Sequence, residues 1–359
     1  MQKYRILVIN PGSTSTKIAL FENANEIFKK SLQHNSEELS KFSSIINQFE
    51  FRKKIVEQSL IENDIPISSI DVVIGRGGLV RPVKSGIYKI NKKMLADLKD
   101  ETIWGRTHAS NLGAYIAKSI GDEIGVQSFI VDPVPVDEMD DIARISGVPE
   151  IERQSLFHAL NIKSIAKKTA EKIRKPVEEC NFIAAHLGGG ITIAALKNGK
   201  AIDVNNAMLG MGPFSLQRAG ALPLNGLINL CYSGKYTKAK LEKKLVKKSG
   251  LLAYLGTDNG EKIEKEIKNG NKKFEEIYSA MAYQISKEIG AYATILKGDV
   301  DAIFLTGGLA YGKYLTKWIK ERTSFIAPIF VFPGEGEMQA MAEAGMRILI
   351  GKENAKEYE

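Results

Sequence analysis

The chain has 359 residues, 44% of them apolar and 26% charged, with 32 glycines, 11 prolines and no biased tract; this is a globular composition with core enough for two ordinary domains. Cys180 and Cys231 are too few and too unpatterned for a disulfide framework or a zinc site, no apolar run reaches the length of a membrane span, and the N-terminus lacks a secretory leader, so the sequence reads as cytoplasmic and uncleaved. A formal charge of +8 suits an anionic substrate or nucleic acid, but the most basic run, Lys238 to Lys248, spaces Leu, Val and Glu among its lysines as a solvated amphipathic helix does, and no nucleic-acid motif accompanies it.

Ile6 to Ile9 reads as a buried strand that stops at the turn residues Asn10-Pro11-Gly12. Four hydroxyls follow, Ser13, Thr14, Ser15 and Thr16, then the cation Lys17. Backbone N–H groups, hydroxyls and an ammonium are what a phosphate chain needs around it, and an ordinary Ser/Thr-rich hairpin is the plain alternative. The chain returns through I-A-L-F-E to a second turn, so the loop joins two strands. That excludes the Walker A loop and the dinucleotide-binding G-x-G-x-x-G, both of which open a helix. Asn35 with Glu38 marks a helix start, continued by a stripe of Leu39, Phe42, Ile46, Phe49, Lys53 and Val56.

Asp71 to Ile74 reads as a short buried strand running into Gly75-Arg76-Gly77-Gly78. An arginine just past a strand end lies where open α/β sheets bind ligands; a surface arginine in a flexible turn is the alternative. His108 to Asn111 opens a helix running to Ile124, and the strand Ser128 to Val131 ends on Asp132-Pro133, either a catalytic carboxylate or a turn starter. The acidic run Asp137 to Asp141 reads as a helix N-terminal turn, and Leu156-Phe157-His158 opens a further helix, in which His158 alone is simply a hydrogen-bonded residue.

The opening pattern then returns. A strand from Asn181 to Ala185 meets Leu187-Gly188-Gly189-Gly190, followed by strands Ile191–Leu196 and Ala201–Val204 joined at Asn198-Gly199. Each half continues with a long helix and a buried strand, Phe274 to Leu296 and Ala302 to Leu305 in the second, ending on Thr306-Gly307-Gly308. This implies an internal duplication, two lobes with phosphate-grasping hairpins that would clamp a nucleotide between them. Arg218 lies in the glycine-rich run Met211 to Gly220, a setting that delivers an arginine to a phosphate or carboxylate. Glu337, in the first turn of a last helix from Ala340 to Ile350, either complements the helix dipole or faces a metal.

Nine motifs then occur in one order: I-N-P-G-S-T-S-T-K, G-R-G-G-L, H-A-S-N-L-G, F-I-V-D-P-V, F-H-A-L-N, A-H-L-G-G-G-I, Q-R-A-G-A-L-P, L-T-G-G-L-A and P-G-E-G-E-M. Together they resemble the butyrate kinases, within the acetate kinase group of the sugar kinase–Hsp70–actin superfamily. The resemblance implies an α/β fold of duplicated ribonuclease H-like, actin-like ATPase lobes around a central cleft. It places residues 1–150 with 338–359 in an N-terminal lobe and 151–337 in a C-terminal one. It also implies phosphorylation of a short fatty acid by ATP, giving an acyl phosphate and ADP with magnesium. The acid is butyrate; acetate, propionate or isobutyrate are the alternatives, and an actin- or Hsp70-like switch a more distant one. A cytoplasmic homo-oligomer, dimer or larger, is implied, with a small carboxylate as partner and neither nucleic acid nor membrane.

Residue by residue, the resemblance makes Asn10 and Glu337 magnesium-associated, and Asn10, Gly12, Ser13, Ser15 and Lys17 the first nucleotide-phosphate loop. Arg76 matches the carboxylate-binding arginine and Asp132 the active-site aspartate. His158 and Arg218 match stabilisers of the transition state. His186 joins that group and opens the second phosphate loop with Gly188, Gly189 and Gly190, while Gly307 and Gly308 begin the adenosine-side loop. Val134, Pro135 and Ile145 are candidates for the wall of the acyl pocket.

Overall fold

The computed structural model describes residues 2–105 and 107–359. Backbone proximity divides the chain into two units, Met1–Val136 with Gly336–Glu359, and Asp137–Glu335.

The first unit is built on six strands: β1 (Arg5–Pro11), β2 (Ser15–Glu22), β3 (Asn25–Gln33), β4 (Val72–Arg76), β5 (Ile87–Lys89) and β6 (Gln127–Val131), in the order β3-β2-β1-β4-β6-β5. The hairpins β1-β2-β3 are antiparallel, and β4 and β6 continue the sheet in parallel. Ile6 to Ile9 and Val72 to Ile74 are buried without alternation, as strands covered on both faces must be. Leu7, Ile9 and Val73 share a core with Leu112, Ile116 and Ile120 of the helix Asn111–Ile124. On the other face Ile6 and Ile74 meet Gly345 of the helix Glu337–Leu349 so closely that a Cβ there would lie 3.0–3.1 Å from their side chains.

The second unit repeats the plan with β7 (Phe182–Leu187), β8 (Ile191–Lys197), β9 (Lys200–Val204), β10 (Ala302–Gly307) and β11 (Ile329–Pro333), in the order β11-β10-β7-β8-β9. Here too an antiparallel run, β7-β8-β9, is extended by two parallel strands. The correspondence reaches detail: each second hairpin turns on an asparagine with positive φ, Asn23 at 55° and Asn198 at 51°, and each register slips just before that turn, at Leu20/Phe21 and at Ala195/Leu196. One core lies between the sheet face bearing Ile183, Ala185, Ile193 and Leu305 and the helix Lys272–Ile295, which contributes Tyr278, Met281, Ile285 and Ile289.

Two local readings are corrected. The stripe from Leu39 to Val56 is not one helix, for Ser36–Ser40 and Phe49–Glu62 are separate helices with residues 41–45 outside both. Ser43 and Ser44 fall in that break, where serine is favoured because its hydroxyl competes for backbone partners, and the Ser43 hydroxyl accepts from the Asn47 amide at 2.7 Å. The acidic run supplies only Asp141 to a short helix, Asp141–Arg144. Asp137 instead takes two hydrogen bonds from Arg144 at 2.7 and 2.8 Å, and Glu138 pairs with Lys163. Ion pairing uses those carboxylates, not the helix dipole.

Candidate active site

In the first unit the parallel strands β1, β4 and β6 end along one sheet edge, where ligand-binding side chains gather in α/β folds. Asn10 lies opposite Lys17 in the β1-β2 ladder, which continues through Pro11 opposite Thr16 and leaves a tight turn closed by Gly12 N–H donating to Ser15 O at 2.7 Å. Ser13, Thr14 and Lys17 are exposed and Ser15 half-buried, but Thr16 points inward, 2.8 Å from His34 Nε2.

Arg76 is the last residue of β4 and only 7% exposed. It is not a flexible surface arginine. The surrounding glycines serve close packing: a Cβ on Gly75 would lie 2.2 Å from Gly113 O, on Gly77 2.6 Å from Pro133 and on Gly78 2.4 Å from Asn111. The start of helix Asn111–Ile124 is thereby drawn onto the strand end, with Gly113 pressed against the Arg76 backbone. Arg76 Nη2 pairs with Glu337 Oε1 at 2.9 Å, and Glu337 Oε2 accepts from the Asn10 amide at 3.0 Å. Nη1 of Arg76 is buried without a hydrogen-bond partner among the described residues. A buried donor left open in this way is costly unless something arrives to use it.

Asp132 follows β6, one residue beyond the partner of Arg76 in the ladder. Its Oδ1 accepts from Ser85 Oγ at 2.6 Å and Gly86 N–H at 2.8 Å, and its φ of +38° is a conformation non-glycine residues adopt only at a cost of order 1 kcal/mol or more. Asn10 and Glu337 set an amide and a carboxylate side by side, oxygen donors of the kind magnesium takes while keeping most of its waters. No group of three or more His, Cys, Asp and Glu able to hold a metal occurs among the described residues.

In the second unit His158 caps the helix Ala159–Ile173 by position but not by its side chain. Its ring stacks on that of His186, centroids 3.8 Å apart and planes within 10°, and its Nδ1 lies 2.8 Å from Thr192 Oγ1. His186, in β7, meets Asn161 Oδ1 through Nδ1 at 2.8 Å, while Asn161 donates its amide to Glu335 O. That arrangement assigns the Nδ1 proton to His186. The turn Gly188–Gly190 continues from β7. Gly189 O accepts from Ser215 Oγ at 2.7 Å, and the Arg218 guanidinium lies on Gly190 while donating to Ala207 O. Gly307, with φ of +89°, ends β10 against Leu187; a Cβ there would be 2.4 Å from the Leu187 carbonyl oxygen. Gly308 follows it.

The structure therefore gathers Asn10, the Gly12–Ser15 turn, Lys17, Arg76, Asp132 and Glu337 along one edge of the first sheet. It gathers His158, His186, the Gly188–Gly190 turn, Arg218 and Gly307 in the second unit. Val134 and Pro135 belong to the first unit, and Ile145 is an exposed residue of the second. The motif reading missed Asn161 and Thr192, which orient the two imidazoles, and Arg52, buried beneath the first turn. Arg52 had a signal: it falls between Phe49 and Val56 on the apolar face of its helix.

A doubled sheet with an equivalent hairpin turn in each half, one arginine beside a carboxylate and one beside a glycine turn, is an α/β fold of duplicated lobes, and the relatives it matches make it a kinase. Residues 150–357 match the model of the acetokinase family, and the chain belongs to that family. Over 356 residues it is 51% identical to butyrate kinase 2 of Clostridium acetobutylicum, covering 99% of each chain. Butyrate kinase 1 of the same organism is 48% identical over 355 residues, again 99% of each. Among solved structures, the acetate kinase of Porphyromonas gingivalis superposes with a TM-score of 0.78 over 97% of this chain and 100% of its own; at 20% identity this speaks for the fold alone.

Proposed function

We propose that this chain transfers the γ-phosphoryl group of ATP to the carboxylate of a short fatty acid, butyrate plus ATP giving butyryl phosphate plus ADP, reversibly. The observation that carries the acid-binding part is the buried, unpartnered Nη1 of Arg76, a donor beside one already fixed by Glu337. The acceptor is ionised at neutral pH, its pKa being ~4–5, so no base is needed to make the nucleophile. A carboxylate oxygen attacks phosphorus, the bond to the bridging oxygen breaks, and ADP leaves with that electron pair.

The obstacle is charge, an anion approaching a more anionic phosphate. Arg76 holds the carboxylate. Lys17 and the Asn10–Ser15 turn hold nucleotide phosphates, as do His186 and Gly188–Gly190, and Gly307–Gly308 lies on the adenosine side. Arg218, His158 and His186 neutralise charge on the group in transfer. Asp132 positions its neighbours and removes no proton. Magnesium, associated with Asn10 and Glu337, would supply charge neutralisation on the phosphate oxygens.

No helix among the described residues is long and apolar enough to cross a membrane. A cytoplasmic homo-oligomer is the reading that accompanies the proposal; the helix Leu224–Cys231, with Leu224 and Ile228 exposed, supports a self-associating face. The function is tested by ATP-dependent hydroxamate formation from C2 to C5 acids in hydroxylamine. Butyrate should rank first, its neighbours close behind, because one methylene is worth only ~1–3 kcal/mol in an apolar pocket. Absence of hydroxamate from every acid would refute the assignment.

A further inference from the structure

The hydroxyl-rich turn of the first unit rests on Arg52. This side chain, from the helix Phe49–Glu62, is 1% exposed. Its Nη1 donates to Gly12 O at 2.7 Å and Ser15 O at 3.2 Å, and its Nη2 to Ser13 O at 3.0 Å. Gln48 Oε1 accepts from Nε at 3.1 Å and from Nη2 at 2.9 Å, and Thr16 Oγ1 lies 3.4 Å from Nη1. Every one of these partners is neutral. Burial pulls the Arg52 pKa down to about 10, which leaves it charged at neutral pH. His34, 2.8 Å from Thr16 Oγ1, is held down to about 4 by burial and then by the Arg52 charge, so it contributes no compensating or competing charge.

Peptide geometry turns these contacts into a device. Across a trans peptide the carbonyl of one residue and the N–H of the next point in opposite directions. Drawing the Gly12 and Ser13 carbonyls down onto the guanidinium therefore turns the N–H groups of Ser13 and Thr14 outward. Both residues are exposed, and neither N–H has a hydrogen-bond partner among the described residues. Successive outward N–H groups form an anion-binding concavity. A buried cation with only neutral partners is also short of a counter-ion, and keeping such a charge is costly.

We propose that Arg52 is a positioning residue for the nucleotide: it fixes the first turn with carbonyls inward and N–H groups outward, and its uncompensated charge attracts the phosphate chain without touching it. This rests on the reading of the turn as a phosphate site. The class of ligand it serves is a di- or triphosphate chain, whatever base is attached.

The test compares Arg52→Gln, Arg52→Lys and Lys17→Ala with the wild type, titrating tripolyphosphate, ADP and adenosine by calorimetry alongside steady-state kinetics. Arg52→Gln should weaken tripolyphosphate and ADP at least about tenfold, the order expected when one interior charge close to the phosphates, though not in contact with them, is removed, leave adenosine within about twofold, and raise KM for ATP without raising KM for butyrate. Arg52→Lys, which keeps the charge but not the fork, should fall between, and it carries the test should the Gln variant fail to fold. A purely structural role predicts lower Tm with unchanged tripolyphosphate affinity, or equal rises in both KM values; either overturns the proposal. If Lys17→Ala weakens tripolyphosphate and the Arg52 variants do not, only the role of Arg52 falls. If Lys17→Ala also leaves tripolyphosphate and ADP unchanged, the phosphate reading of the turn falls with it.

Discussion

Gly190→Ala places a methyl group where the Arg218 guanidinium now lies. The new Cβ would stand 2.2 Å from Nη1 and 2.8 Å from Cζ, with Ala207 O at 3.2 Å. Ordinary contact is about 3.5 Å, so the guanidinium must retreat by about 1 Å or more. It is the far end of a flexible side chain and yields before the strand does, which keeps the expected stability loss within about 1 kcal/mol. A displacement of that size costs on the order of a hundredfold in rate, and complete loss of a transition-state arginine about a thousandfold. The expected result is a kcat lowered about 10²- to 10³-fold in the ATP-dependent hydroxamate assay at saturating substrates, with little change in Tm. The decisive comparison is the double variant Gly190→Ala, Arg218→Ala. Because both changes act through one guanidinium, it should be no slower than Arg218→Ala alone. Multiplying losses, or a Gly190→Ala enzyme within about threefold of wild type, would refute this account of Arg218.

Arg218→Ala itself should lower kcat at least about a thousandfold while ADP affinity by calorimetry stays nearly unchanged, and a fall of less than about tenfold would remove Arg218 from the transition state. Arg76→Lys keeps the charge paired with Glu337 but loses the fork; KM for butyrate should rise about 10- to 100-fold, one charge-assisted hydrogen bond, with KM for ATP little altered. Equal rises in both constants would contradict the acid-binding role. His34 stays neutral in the folded protein down to about pH 4, its pKa lowered by burial first and by Arg52 second. The unfolded chain takes up that proton near pH ~6.5. Stability is therefore fully present above the unfolded value and declines as pH falls from there toward 4, by on the order of 3 kcal/mol. Urea unfolding at several pH values should show this slope in the wild type and lose it in His34→Asn; parallel curves would exclude it.

The repeat was legible because its markers are local. A buried run, a glycine turn and an asparagine turn can be read wherever they stand, and the matched registers of β1-β2-β3 and β7-β8-β9 follow from them. Arg76 was legible as a ligand candidate, but the reason for its glycines was not. They look like flexibility in sequence and prove to be surfaces pressed against Pro133, Asn111 and Gly113, contacts that only the folded chain reveals. His158 drew no attention by itself because its significance is the ring stacked on it from β7, 28 positions away in sequence. The acidic run at 137–141 misled because carboxylates near a helix start satisfy the dipole rule and the ion-pair rule alike, and only partner positions decide between them. Arg52 carried a cue in its place on an apolar helix face, yet nothing in sequence says that its partners would be three carbonyl oxygens of a turn some forty residues earlier.

The first unit is interrupted: its opening 136 residues are completed by Gly336–Glu359, and the second unit is encoded between them. During translation β1 and β4 are therefore made long before the helix Glu337–Leu349 that covers Ile6 and Ile74 emerges. Arg76 leaves the ribosome without its carboxylate and waits for about 260 further residues before Glu337 exists to meet it. Arg76 thus gains its ion pair late. A nascent chain halted within the second unit beyond Gly190 holds both hairpin turns but not the Arg76–Glu337 salt bridge.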